Sequence, residues 1–221
     1  MKTGILGGTF NPIHLAHLRI AEEVQHACDL DRLLFIPAAE PPHKDVAGQV
    51  SFEHRLAMVQ AAILDYPKFQ VSDLEIRRSG KSFSVDTLEI LRKQDPQGER
   101  YFIVGLDSYC DIASWKDFTR IFSLSHLVVM TRPGVELSDP LEPLPVAARE
   151  DFCYDSDAEI IRHKSGNNVI FLKETYLNIS STKIRQMLNT GQSIRHLVAP
   201  AVADYIKEHG LYQTTAIKRS H

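Results

Sequence analysis

The chain has 221 residues, 43% of them hydrophobic and 24% charged, with a formal net charge of −3. That length and balance suit one sizeable core and exclude a chain too polar to fold. The small net charge excludes a global field that would draw nucleic acid or an anionic membrane, so any phosphate site must be built locally.

In chain order, the apolar pattern predicts a strand at residues 3–6 and a helix at 12–28, in which Leu18, Ala21, Val24 and Cys28 recur at helical spacing. A strand at 33–37 follows, then a polar loop at 38–50 carrying "EPPHKDVAGQ" and a helix at 52–64. Next come a strand at 69–76, a helix at 85–93, a strand at 101–104, a helix at 115–122 and a strand at 127–130. Residues 133–159, rich in proline and acid, read as a surface insertion. A strand at 169–172 and helices at 182–188 and 201–208 complete the pattern. Ser51 and Ser84 stand where helix N-caps belong, and Gly191 and Gly210 where C-terminal caps belong. Such alternation predicts an α/β fold: a Rossmann-like, doubly wound parallel sheet with helices on both faces and a small C-terminal helical part. One domain is expected over residues 1–212, followed by a disordered tail at 213–221.

The three cysteines, Cys28, Cys110 and Cys153, are scattered and form no CxxC, which fits reduced thiols in a cytoplasm better than a disulfide frame or a zinc site. No segment approaches the roughly 18 apolar residues of a membrane span. The first apolar run is broken by Gly7-Gly8 almost at once, unlike a signal peptide. A cytoplasmic protein is the expectation.

The stretch "GGTFNPIHLAH" follows the first strand, at the place where ligands bind in open α/β sheets. Glycines let backbone N–H groups approach an anion closely, and a helix N-terminus adds partial positive charge. Pro12 suits a first helical turn, and His14 and His17, three apart, share one face of it. Neither GxGxxG after this strand nor GxxxxGK[ST] anywhere is present. Alone, the pair of histidines fits a structural glycine turn with two partly exposed rings better than a ligand site. A zinc site is disfavoured, because the HExxH glutamate and a third ligand are missing. A second stretch, "NISSTKIRQML", places Ser180, Ser181 and Thr182 at a helix start with Lys183 and Arg185 in its first turns. That is either a capped helix with solvated charges or a second anion site with an arginine fork for phosphate. Two such helix starts in one chain favour the anion reading. His26, His54, His126, His163, His196, His209 and His221 stand in no motif, and His43 matters only as the neighbour of Lys44.

"GGTFNPIHLAH" resembles the GxFxPxHxGH signature of the nucleotidylyltransferase superfamily, and "ISSTKIR" resembles its ISSTxIR signature. With "PPHK", "FIVGLDS" and "TRPG" in order, the chain is similar to bacterial nicotinate-nucleotide adenylyltransferases from residue 2 to about 212. It departs at Ala16, where the signature's second glycine stands, and at Asn11, where many members carry Asp.

The resemblance implies transfer of AMP from ATP to nicotinate mononucleotide, giving nicotinate adenine dinucleotide and pyrophosphate in NAD biosynthesis. It implies that His14 and His17 contact the ATP phosphates, with His17 nearest the transition state and Arg185 completing the catalytic set. Gly8, Thr9 and Phe10 would form the backbone cradle, with Asp107 near the nucleotide. Ser181, Thr182 and Arg185 would hold the outgoing phosphates, and Lys44 would add charge from its loop. Ser84, in "SFSVDTL", and Trp115 would receive the pyridine ring. Mg²⁺ would arrive with ATP, held by substrate oxygens and water rather than by protein ligands. Relatives acting on nicotinamide mononucleotide or phosphopantetheine share the ATP motifs and are the enzymatic alternatives. A nucleotide-binding regulator without chemistry is the alternative of another class.

Overall fold

Short apolar runs become β1 (Lys2–Gly8), β2 (Arg32–Pro37), β3 (Phe69–Val71), β4 (Glu99–Gly105), β5 (His126–Thr131), β6 (Phe152–Asp155), β7 (Ile160–His163) and β8 (Asn168–Lys173) in a computed structural model. The structure describes residues 1–40, 50–78, 80–131, 134, 137–155, 160–173 and 175–213. The strands form one sheet in the order β3-β2-β1-β4-β5-β8-β7-β6. From β3 to β8 every pairing is parallel, while β7 and β6 add an antiparallel edge. From β1 the chain winds outward to β2 and β3, then crosses back to β4 on the other side. The switch point therefore lies between the carboxyl ends of β1 and β4.

The helices are α1 (Leu15–Ala27), α2 (Phe52–Ala62), α3 (Ser84–Gln94), α4 (Leu106–Cys110), α5 (Phe118–Leu124), α6 (Val146–Arg149), α7 (Ser181–Asn189) and α8 (Pro200–Glu208). Successive strand residues point to opposite faces, and here both faces are buried. Phe35, Ile103 and Val128 pack on one side with Leu18, Ala21 and Val24 of α1, Met58 of α2 and Val202 of α8. Leu34, Ile36, Phe102, Val104, Leu127 and Val129 pack on the other side with Val85 and Leu88 of α3 and Ile121 of α5. Gly191 and Gly210 adopt left-handed φ values of 70° and 58° just past α7 and α8, as C-terminal caps require. The architecture is Rossmann-like.

Several boundaries differ from the sequence reading, each for a physical reason. A helix beginning at Pro12 would need the Leu15 N–H to reach the Asn11 carbonyl. Leu15 N–H donates instead to the Leu197 carbonyl at 3.0 Å, so Pro12 lies in a turn and His14 is the N-cap. Ser84 is the first residue of α3, with Phe83 at the N-cap. Trp115 closes a 3-10 turn (Ile112–Ser114), and α5 waits until Asp117 has turned the chain at φ 46°. β3 stops at Val71: Ser72 N–H still reaches the Phe35 carbonyl at 2.9 Å, and the chain then turns, with Ile76 N–H donating to the Asp73 carbonyl at 3.2 Å. Of the stretch expected as a surface insertion, 133–159, the described residues include Leu144, 1% exposed, and Phe152–Asp155, which pairs with β7. Of the expected tail, residues 214–221 lie outside the described residues.

Candidate active site

The turn after β1 is shaped by a ring folded back on a glycine. Phe10 has a left-handed φ of 48° and is 2% exposed, its ring lying 5.9 Å from Phe35 and 5.1 Å from His17. A Cβ at Gly8 would meet the Phe10 ring at 3.0 Å, so this close approach is one that glycine permits. Behind the turn, Arg55 of α2 is 1% exposed and donates to the carbonyls of Thr9 at 2.8 Å, Ala38 at 2.7 Å and Ala39 at 3.5 Å. The Gly8 carbonyl accepts from Ala38 N–H at 2.8 Å. One guanidinium thus ties the turn after β1 to the segment after β2.

His14 and His17 stack with ring centroids 3.7 Å apart and planes 22° from parallel. The His14 backbone N–H donates to His17 Nδ1 at 3.3 Å, which leaves a neutral His17 with its proton on Nε2. Burial pushes the His14 imidazole down to about 4, so it is neutral near pH 7.

The first turn of α7 is fastened to the same turn. Ser180 caps it, accepting from Lys183 N–H at 3.2 Å. Ser181 Oγ donates to the Pro12 carbonyl at 2.8 Å, and Arg185 Nη1 to the Asn11 carbonyl at 2.8 Å. Arg185 Nη2 reaches Thr182 Oγ1 at 3.3 Å. Asn11 Oδ1 accepts from Tyr212 Oη at 2.8 Å and from Val50 N–H at 3.5 Å. The segment leading into α7 is held by α1: Thr175 N–H donates to both Glu23 oxygens at 3.1 and 3.2 Å, and Arg19 pairs with Glu23 at 2.8 Å.

Gly8, Thr9, Phe10, His14, His17, Ser84, Asp107, Trp115, Ser181, Thr182 and Arg185 all line one cleft of about 820 Å³ at the switch point. Lys44 and its neighbour His43 lie outside the described residues. The far wall is built by Glu75 and Ser82 of the segment after β3, by the start of α3 and by Trp115. Ser82 Oγ accepts from Ala39 and Glu40 N–H groups at 3.1 and 3.3 Å, and half-buried Trp115 stands 6.3 Å from Phe102. Arg55, Tyr212 and Glu75 carry no motif in the sequence. The one available signal was Glu75 set between the apolar Leu74 and Ile76.

A family model described as cytidylyltransferase-like matches residues 5–187. A protein of Syntrophotalea carbinolica named "Probable nicotinate-nucleotide adenylyltransferase" is 60% identical over 214 residues, covering 97% of this chain and 98% of that one. The chain belongs to the nicotinate-nucleotide adenylyltransferase family, within the cytidylyltransferase-like proteins. A Geobacter sulfurreducens protein of the same name is 53% identical over 212 residues, covering 96% of this chain and 98% of its own. The nicotinic acid mononucleotide adenylyltransferase of Plasmodium falciparum, solved in complex with NaAD, shares the fold. It has a TM-score of 0.73 at 21% identity, covering 96% of this chain and 97% of that one.

For a member of the nicotinate-nucleotide adenylyltransferase family, the two departures from the signature both face the cleft, Ala16 in the first turn of α1 and Asn11 in the turn before it. Among the described residues, no group of three or more His, Cys, Asp or Glu is placed to hold a metal ion. Nor is any described helix long and apolar enough to cross a membrane. Cys28, Cys110 and Cys153 are free thiols.

Proposed function

We propose that this chain transfers the adenylyl group of ATP to nicotinate mononucleotide, releasing pyrophosphate and forming nicotinate adenine dinucleotide for NAD biosynthesis. The observation that carries this reading is the fastening of α7 to the glycine turn by Ser181 and Arg185. It brings two separate anion-suited segments to one cleft, opposite a wall that holds an aromatic ring and a second helix start.

The acceptor is a phosphate monoester whose second pKa is about 6, so near neutral pH it is already an anionic nucleophile. It needs no general base. It needs alignment with the α-phosphate and relief of charge on the leaving pyrophosphate. ATP would enter as its Mg²⁺ complex, the ion remaining on substrate oxygens and water. Gly8, Thr9 and Phe10 would cradle the phosphates, and His14, as a neutral imidazole, would donate a hydrogen bond. His17 would meet the charge that develops at the α-phosphate. Ser181, Thr182 and Arg185 would hold the β- and γ-phosphates, with Lys44 closing from its loop and Asp107 near the nucleoside. Ser84 and Trp115 would take the nicotinate ring. Free thiols and the lack of a spanning helix among the described residues support a cytoplasmic setting.

Pyrophosphate release by the purified protein with nicotinate mononucleotide, nicotinamide mononucleotide or phosphopantetheine tests the reading. The acid should be the preferred acceptor. Release with phosphopantetheine alone reassigns the substrate, and ATP binding with no release for any acceptor leaves a nucleotide-binding protein without chemistry. Direct attack predicts inversion at the α-phosphorus and no exchange of labelled pyrophosphate into ATP without acceptor or dinucleotide.

A further inference from the structure

The reaction as described leaves one buried carboxylate of the cleft unused. Glu75, in the turn after β3, is 7% exposed and lines the same cleft as Ser84 and Trp115. Its Oε1 accepts from Thr87 Oγ1 at 2.8 Å, and Thr87 stands three residues into α3 from Ser84. Its Oε2 is buried and has no hydrogen-bond partner among the described residues. Arg55 lies near enough for the two charges to act on each other, while its guanidinium serves the carbonyls of Thr9, Ala38 and Ala39. At the start of α3, Phe83 supplies no side-chain cap.

A buried carboxylate with a half-satisfied hydrogen-bond set is costly, and its field reaches further in a poorly screened site than in water. Arg55 answers that charge in part while its N–H groups serve three carbonyls, and a cation entering the site beside the open Oε2 adds to the balance. The pyridine end of nicotinate mononucleotide is a zwitterion, with a quaternary, positive ring nitrogen and a negative carboxylate. Resting on the assignment of Ser84 and Trp115 to that ring, we propose that Glu75 is the buried counter-charge for the pyridinium. In this arrangement the substrate carboxylate takes the uncapped N–H groups of α3, the Trp115 face meets the cationic ring, and Glu75 supplies the balancing negative charge. The subsite then selects a ring by its charge as well as by its shape.

Trp115 is the chain's only tryptophan, so quenching of its fluorescence reads ring binding directly. Two ligands suffice: nicotinate mononucleotide, and an uncharged isostere in which a benzoate ring is joined to the ribose through carbon. The wild type should bind the cationic ring about tenfold more tightly. Glu75→Gln, which keeps the shape and an acceptor for Thr87, should remove most of that preference while leaving the isostere and ATP affinities unchanged. Thr87→Val, which breaks the anchor and keeps the charge, should weaken both ring ligands alike. A wild type without preference overturns the proposal whether or not the variants fold. So does a Glu75→Gln protein that weakens both ligands equally or neither. If nicotinate mononucleotide neither binds nor supports pyrophosphate release in the wild type, the assigned reaction fails instead.

Discussion

His17 is held edge-on by Phe10 and by the His14 amide at its Nδ1, so its orientation is set before any substrate arrives. An Nε2–H fixed in that way loses nothing to reorganisation when charge builds on a phosphate. His17→Ala should fold normally, lower kcat by about 10²–10³, and raise KM for ATP far less. Steady-state kinetics with ATP varied decide it, and a loss of less than tenfold takes His17 out of the catalytic role. Arg185 uses two nitrogens of one planar fork, on the Asn11 carbonyl and on Thr182. A lysine ammonium cannot span both partners and still face a phosphate. Arg185→Lys should therefore weaken ATP and pyrophosphate while leaving mononucleotide affinity nearly unchanged, as binding titrations of each ligand will show. An equal loss for the mononucleotide would put Arg185 at the other end of the cleft. The histidines and Arg185 were legible in the sequence because they stand in spaced motifs. Arg55 was not: nothing in "SFEHRLAM" distinguishes an arginine buried behind a turn from one in solvent.

At the scale of elements, α2 matters through Arg55, which joins the turn after β1 to the segment after β2. Arg55→Met keeps much of the apolar stem and leaves the carbonyls of Thr9, Ala38 and Ala39 without their donor. Each buried acceptor left unpaired costs about 1–3 kcal/mol, so a loss of about 3 kcal/mol or more is expected in urea unfolding. Activity at temperatures where the variant stays folded should fall as well, because the turn itself loosens. Full stability and full activity together would show that other contacts hold the turn. The six parallel strands were readable because strands buried on both faces are near-continuous apolar runs. β6 and β7 were not, since "FCYD" and "IIRH" are short, partly exposed and set in a polar, proline-rich stretch. The start of α1 was misread for a tertiary reason: Arg185 and Ser181, more than 160 residues away, take the carbonyls that a longer helix would have used.

For the whole molecule, burial lowers the proton affinity of His14, His126 and His163. An unfolded chain protonates each near pH 6.5, whereas folded His14 holds out until about 4. Across that window the unfolded state binds more protons, so stability falls as the pH drops and levels off below it. His14 alone contributes about 3 kcal/mol to this slope. The Glu23 carboxylate, held below its usual range chiefly by its bonds to Thr175 and Arg19, adds stability that is lost at still lower pH. Urea unfolding at pH 7.5, 5.5 and 4.5 should trace the decline, and His14→Gln should flatten it in part. A wild-type profile that is level from 7.5 to 4.5 would contradict the buried, neutral state of His14.

The hydrogen bond from Tyr212 to Asn11 joins residues 201 positions apart at the turn after β1. During synthesis the ribosome makes Asn11 and reaches Tyr212 only 201 positions later. At roughly 5–20 residues per second, the interval is on the order of 10–40 s. Through it the growing chain can pair β1 with β2 and β4, yet the fastenings from Ser181, Arg185 and Tyr212 are still to be translated. A nascent chain can therefore hold part of its sheet before the turn after β1 is fastened from Ser181, Arg185 and Tyr212, and a ligand that needs those fastenings gains its hold only after residue 212 is made.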